Sequence, residues 1–400
     1  MKKIVIGLIA IVTLALGVFI YVYAAAGDIL WTTVVRFSAN RDEAKDVAMD
    51  STGIYVVGFD SILGATNTQW RIRKQNWSTG VYIWSTTSNP TSGGDAANGV
   101  AVDSTGIYVV GYDTGGARWR IEKRNLSTGS LIWSFVYDYT TGSYGTDEAT
   151  DVAVDSTGVY IVGYSRLSQY DYQWRIQKRN LTTGSFIWQV LYNPSVYEDK
   201  ATGVAVDATG VYIVGYDSIL AYGQGEWRIQ KRNLTTGALI WSKTTPLVYV
   251  GNCVANDVAV DGTGAYIGGF IRTTSSSPAD YIWRIEKRNL TTGNIIWEKT
   301  SNPTGQDDYA WGIARNSTGV YIVGHQNVSA GDNKQWRIEK RDLTTGNLIW
   351  YKTDNPTATR DVAYRVAAGS TGIYIAGVSA GASYGPGVPD LDWRVQKRAP

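Results

Sequence analysis

Two tryptophans held fourteen residues apart, as in "WRIQKRNLTTGSFIW" from Trp174 to Trp188, recur as six pairs along a chain of 400 residues: 70/84, 119/133, 174/188, 227/241, 283/297 and 336/350. A second phrase, "VAVDSTGVYIVGY" at Val152 to Tyr164, has relatives whose turn glycines are Gly53, Gly106, Gly158, Gly210, Gly264, Gly319 and Gly372. Their spacing of 52 to 55 residues defines seven units of nearly one length. Each unit reads as four short strands, "DVAVD", "VYIVGY", "WRIQKR" and "SFIW", joined below by the turns "DSTG" and "NLTTG", whose Asn, Asp, Ser and Gly tolerate the required backbone angles. Four strands at a period near 50 point to an all-β fold, a seven-bladed β-propeller of four-stranded antiparallel blades. The seventh unit has Trp393 but reaches Pro400 before a fourth strand, and "GDILW" at Gly27 to Trp31 matches the missing piece. The last blade is therefore expected to be closed by the N-terminal strand, which leaves no open edge between blades.

The residue stock agrees with that architecture. Sixteen Trp and twenty-seven Tyr, with many Val, Ile and Thr, suit a pleated surface. The 37 Lys and Arg nearly balance the 35 Asp and Glu, so no broad basic field exists to neutralise a phosphate backbone, and nucleic acid is not an expected partner. One cysteine, Cys253, excludes an internal disulfide framework, and no Cys/His cluster has the spacing of a zinc site. The start of the chain differs in kind. Lys2 and Lys3 precede an apolar run from Ile4 to Ala26, which predicts one hydrophobic helix serving as signal peptide or membrane anchor over residues 1–26. The propeller then occupies 27–400, outside the cytoplasm, secreted or anchored, with membrane contact only through residues 4–26 if these are retained.

Two resemblances rest on the repeated phrases. Asp342 followed by "LTTGNLIW" resembles the quinoprotein propeller repeat, Asp, two residues, Thr-Gly, three residues, Trp; the chain keeps Thr345, Gly346 and Trp350 but has Asn180 and Asn233 at the acidic position of other copies. "DEATDVAVDSTGVYIVGYS" at Asp147 to Ser165 is similar to the extracellular propeller repeats called SBBP-type. Together they span residues 27 to 400 and imply blade architecture; a quinone-dependent oxidation would follow only with a matching cofactor pocket, and no cofactor is expected.

Features present in every blade are read as structural. The arginines after each third-strand tryptophan (Arg71, Arg120, Arg175, Arg228, Arg284, Arg337, Arg394) are expected to pair with buried acceptors, and Asp50, Asp103, Asp155, Asp207 and Asp261 to close their own turns. Candidates for binding come from elsewhere. Before the inner strands most units carry acids: Asp42 and Glu43, Asp95, Asp147 and Glu148, Glu198 and Asp199, Asp307 and Asp308, Asp361, with Asn252 and Cys253 in unit five. Such a collar could hold a hard cation through oxygen ligands, but capping of strand starts is the preferred reading, and no metal is assigned. Trp311 and Arg315 break the repeat close to this collar, beside Tyr309, and are the better ligand candidates. His325, the only histidine, replaces a repeat tyrosine and reads as a core substitution rather than a general base.

No GxSxG, HExxH or phosphate-cradling glycine loop occurs, so the enzyme reading ranks third, behind a binding and a structural role. The expected function is non-catalytic binding of a protein or glycan partner through upper loops such as "SILGATN", "SRLSQYDY" and "SAGASYGPGVPDLD". The alternatives are a structural component of the cell envelope or surface layer, and an extracytoplasmic hydrolase, lyase or quinoprotein using the collar. Seven Asn-x-Ser/Thr sequons, at Asn76, Asn125, Asn180, Asn233, Asn289, Asn316 and Asn327, would be glycan acceptors after export, although turns favour Asn for backbone reasons alone. Ala24-Ala25-Ala26 offers a cleavage site. N-terminal sequencing of protein made in its host is expected to begin at Gly27; a retained Met1 would show an anchor.

Overall fold

A computed structural model describes residues 24–113, 118–139, 146–219, 221–245, 251–274, 280–328, 333–357, 359–381 and 390–400. The leading segment up to residue 23 and the tips of several upper connections, including most of "SAGASYGPGVPDLD", lie outside the described residues. Among those described there are seven four-stranded antiparallel sheets, six formed from consecutive strands and the seventh from strands of both ends of the chain. Blade one comprises Glu43–Asp50, Gly53–Asp60, Gln69–Gln75 and Tyr82–Ser88, and each later blade repeats this order. The chain is a seven-bladed β-propeller.

Inner strands run from the upper to the lower face, so the aspartate turns and the Asn-Leu-Thr-Thr-Gly turns share the lower face. Asp155 Oδ1 accepts from Thr157 N at 2.7 Å and Gly158 N at 3.0 Å, closing its own turn as expected. Blade seven is completed from the other end of the chain. Ile29–Val35 pairs antiparallel with Leu391–Arg398, Trp31 opposite Lys397 and Val35 opposite Trp393. Arg398 also donates to Gly27 O at 2.8 Å, and Lys352 lies 3.1 Å from Asp28.

The two tryptophans of a blade are not cross-strand partners. Trp174 pairs with Tyr192 and Trp188 with Lys178, so the fourteen-residue interval sets both indoles on one face at opposite ends of the blade. Both dock on the next blade. Indole N–H groups of Trp70, Trp119, Trp174, Trp227, Trp283 and Trp336 donate to second-strand carbonyls 42 to 45 residues on, among them Tyr112 at 2.9 Å and Tyr216 at 3.2 Å. At the lower end Trp84, Trp188, Trp241 and Trp297 donate to the turn leucines Leu126, Leu234, Leu290 and Leu343. The opposite face carries the arginines, buried against acceptors: Arg71 with Asp60 at 2.8 Å, Arg337 with Glu339 at 2.8 Å, Arg175 with Ser165 at 3.2 Å.

Among the described residues three indole N–H groups are buried without an acceptor, those of Trp133 and Trp350 at the lower end and of Trp393 at the upper end. At Trp393 the junction of blades seven and one therefore lacks the upper indole hydrogen bond and depends on the N-terminal strand, where Trp31 Nε1 donates to Trp77 O at 3.4 Å. Deleting Asp28 through Trp31 should therefore lower thermal stability by at least the about 3–5 kcal/mol typical of truncating one buried aromatic, with a broadened transition in calorimetry.

Candidate ligand site at the channel mouth

Seven inner strands line the central channel, and their residues can be compared position by position. At the first position stand Asp42, Asp95, Asp147, Asp199, Asp308 and Asp361, each 0% exposed, with Cys253 in blade five. These carboxylates cap the incoming loops. Asp42 accepts from Phe37 N and Ser38 N at 2.8 Å and from Ser61 N at 2.9 Å; Asp199 is bound by Ser195 and Ser218, Asp308 by Thr304 and Asn327, Asp361 by Thr357. Asp95 takes the Thr91 hydroxyl at 2.9 Å and Asp147 the Tyr139 N–H at 2.6 Å, while Cys253 Sγ accepts from Arg272 N at 3.4 Å. The capping reading of the collar thus describes the geometry. Among the described residues no group of three or more His, Cys, Asp or Glu side chains could hold a metal ion.

The remaining collar acids differ. Glu198 pairs with Lys200 at 2.6 Å, Asp307 has a buried Oδ1 without a partner, and Glu148 accepts from Asn98 Nδ2 at 3.2 Å and from the Tyr164 hydroxyl.

Three and four positions deeper the strands carry a pattern that the sequence reading passed over. Each inner strand has a bulge after its Ala, as between Ala44 and Asp46. The bulged residue of blades two to five latches the next blade: Asn98 donates to Ala149 O at 3.0 Å, Thr150 to Ala201 O at 2.9 Å, Thr202 to Ala255 O and Asn256 to Ala310 O at 2.6 Å. The residue after the bulge alternates around the ring: Asp46, Gly99, Asp151, Gly203, Asp257, Gly312, then Arg365. Each Asp bridges two blades, accepting from its own strand and from the following one, as Asp46 does from Val47 N and Val100 N, both at 2.7 Å. Asp151 and Asp257 repeat this with Val204 N at 2.8 Å and Ile313 N at 2.9 Å.

Alternate blades need glycine because backbones come close here. A Cβ on Gly99 would lie 3.0 Å from Asp151 Cα, and one on Gly312 would lie 2.8 Å from Arg365 Cα. Arg365 faces the three buried carboxylates, 3.8 Å from Asp257. Burial pushes Asp46 up to about 6 against the pull of Arg365, and lifts Asp151 well above the ordinary carboxylate range, with the Asp257 charge adding to the effect.

The latch fails on one arc. Blades six, seven and one carry Trp311, Tyr364 and Lys45 at the bulge, and these line a cavity of about 380 Å³ together with Arg41, Arg360, Arg365, Glu148 and the latching Asn and Thr residues. Trp311 lies nearly parallel to Tyr309, centroids 5.8 Å apart at 15°, and donates its N–H to His325 Nδ1 at 3.0 Å. His325 is 3% exposed; burial first, then Lys334 and Arg360, hold it neutral, so it acts as a hydrogen-bond acceptor behind Trp311. Lys45 sits 4.8 Å over the Tyr364 ring and shares Glu43 with Arg41. Arg365 reaches back to Trp311 O, reversing the direction of the latch.

The structure therefore brings Trp311, Tyr309 and Glu148 to the upper mouth and spreads Asp95, Asp147, Glu198, Asp199 and Asp361 around it as caps or ion pairs. Arg315 is not there. It stands near the other end of the same strand, donating to Val260 O at 3.1 Å and lining an opening at the lower end with Asn316 and Gly369. The sequons also divide. Asn125, Asn180, Asn233 and Asn289 are exposed in their turns, with Asn76 half-buried, whereas Asn316 Nδ2 is held by Gly369 O at 2.9 Å. Asn327 lies beside the Asp308 cap and its sequon serine lies outside the described residues.

No protein-family model matches the chain, and no curated protein matches it in sequence. Among solved structures it is similar to hydrazine synthase of Kuenenia stuttgartiensis, with a TM-score of 0.53 and 11% identity over 84% of this chain and 93% of that one. Sqt1 from Chaetomium thermophilum gives a TM-score of 0.48 at 12% identity over 90% of each chain. The quinohemoprotein alcohol dehydrogenase from Comamonas testosteroni gives 0.48 at 12% identity over 88% of this chain and 66% of the dehydrogenase, so the chain spans about two thirds of that enzyme's length. At such identities the likeness is one of fold.

The buried caps make a pH dependence. Burial pushes Asp199, Asp308 and Asp361 up to about 6, against roughly 3.9 for an unfolded aspartate. Between these values the folded chain holds protons that the unfolded chain releases, so their stabilising contribution is complete below pH 4 and is lost as pH rises through 6. The unfolding midpoint should be higher at pH 5 than at pH 8, and Asn at all three positions should flatten that slope.

Proposed function

We propose that the protein is a non-catalytic binding propeller, working outside the cytoplasm, that takes a sugar of a glycan into the upper mouth of its channel. The observation that carries this is the arc where the latch fails. Four bulge residues are spent on neighbouring blades, while Trp311 and Tyr364 break the pattern with aromatic rings on the wall of one cavity. A volume of about 380 Å³ lies within the roughly 300–1,000 Å³ range of small-molecule sites. An indole face offers a flat apolar surface for the C–H face of a pyranose, and the surrounding amide and hydroxyl oxygens can accept from its hydroxyls. A cup of this size accommodates a sugar unit better than the broad surface a protein partner needs. The apolar run after Lys2 and Lys3 supports export.

The test is tryptophan fluorescence and calorimetry with an oligosaccharide panel. Trp311→Ala should weaken binding about tenfold or more, a change of about 1.4 kcal/mol, while the propeller keeps a single cooperative thermal transition at a lowered midpoint. A panel without any response, or oxidation of an alcohol in the presence of an added quinone, would replace the binding reading.

A further inference from the structure

Four cations, Arg41, Lys45, Arg360 and Arg365, stand at the mouth. Three are committed: Arg41 and Lys45 share the buried Glu43, and Arg365 lies over the channel aspartates. Arg360 has no ion pair among the described residues, and its Nε is buried without an acceptor. A second donor in this corner is also unmatched. Because Trp311 donates to His325 Nδ1, the neutral ring carries its proton on Nε2, and that N–H is buried without a partner. Lys334 and Arg360 are the charges that act on the imidazole, and both are cationic.

Buried donors normally find acceptors, because leaving one unmatched forfeits its hydration. Two unmatched donors beside these cations can take an acceptor with negative charge; the acids on this side of the mouth are Glu148, on the cavity wall, and Asp307, whose charge acts on Lys334. Trp311 and Arg360 line the cavity, and His325 stands behind Trp311, joined to it by the indole hydrogen bond. A guanidinium is suited to two oxygens of one oxyanion, which a neutral sugar does not offer.

We propose, resting on the sugar-binding reading above, that the ligand is an acidic sugar: its carboxylate or sulfate is received by Arg360 beside the His325 N–H, while its ring lies on Trp311. The experiment is titration calorimetry of the full chain with a uronic-acid trisaccharide, a sulfated trisaccharide and the neutral trisaccharide of the same linkage. One of the acidic ligands should bind about tenfold tighter than the neutral one, the scale of one added charge-assisted contact. Arg360→Gln should remove that preference and leave neutral binding in place, and His325→Phe should reduce it; thermal melts of both variants confirm the fold. Equal affinity for acidic and neutral ligands, or a preference that survives Arg360→Gln, would overturn the acidic assignment and leave the sugar reading standing. Silence towards all three ligands would remove both.

Discussion

The fold depends on the packing of a tryptophan against a glycine of the next blade, seen at Gly163, Gly215, Gly269, Gly324 and Gly377. A Cβ on Gly215 would meet the inner-strand carbonyl of Lys200 and, at 2.8 Å, the Trp174 ring, and one on Gly269 would meet Val254 O and, at the same distance, Trp227, so these glycines make room both for their own inner strand and for the indole of the preceding blade. At the lower end the turn glycines serve the other tryptophan. Gly237 at φ +72° lies against Trp188, where a Cβ would come within 2.8 Å of the ring. A side chain there would both strain the backbone and displace an indole. Fourteen residues is the interval that places both rings on the same face for these two contacts. The repeated phrase is thus a specification of contact with the next blade, and the burial of Trp70, Trp119, Trp174, Trp227, Trp283 and Trp336 at 0% exposure follows from it.

Seven is an odd number, and this shapes the channel. Asp and Gly can alternate around six blades, each carboxylate bridging onto the following blade and each glycine giving room to the backbone of the blade after it, but the seventh place would set like beside like. Arg365 fills that place. Its guanidinium offsets three carboxylates that hold their backbone donors in a buried setting, where unpaired charge is costly. The same residue reaches back to Trp311 O, so the electrostatic solution to the odd ring and the interruption of the latch coincide in blades six and seven. The asymmetric cup is the place where a repeating pattern could not close on itself.

Much of this architecture is legible in the sequence because it repeats. Blade boundaries, the closing strand at Gly27 to Trp31, the paired arginines and the capped turns recur at a fixed period, and each recurrence reports one contact. The Asp/Gly alternation was equally visible, as the first letters of "DVAMD", "GVAVD", "DVAVD", "GVAVD", "DVAVD", "GIARN" and "RVAAG". Its period is two blades, and a comparison that asks what all blades share averages it away. Arg315 was misplaced for a geometric reason. Four residues of strand span about 13 Å, enough to carry it from the Trp311 end of the channel to the opposite one. The pairing of Trp311 with His325 joins residues fourteen apart on adjacent strands, and neither position alone signals it.

A binding site on a repeat scaffold requires that some blade give up a contact its neighbours make. Blade six gives up the bulge hydrogen bond that Asn98, Thr150, Thr202 and Asn256 supply elsewhere, and Trp311 holds its position by other means: the bond to His325, the near-parallel Tyr309 and the Arg365 contact on its carbonyl. Each of these is a departure from the consensus, and each is local. A tyrosine in place of His325 would have no ring nitrogen to accept the indole N–H, and an aspartate or glycine in place of Arg365 could not reach back to Trp311. The non-repeating residues of blades six and seven are therefore joined by contacts to one another: Trp311 to His325, Tyr309 and Arg365.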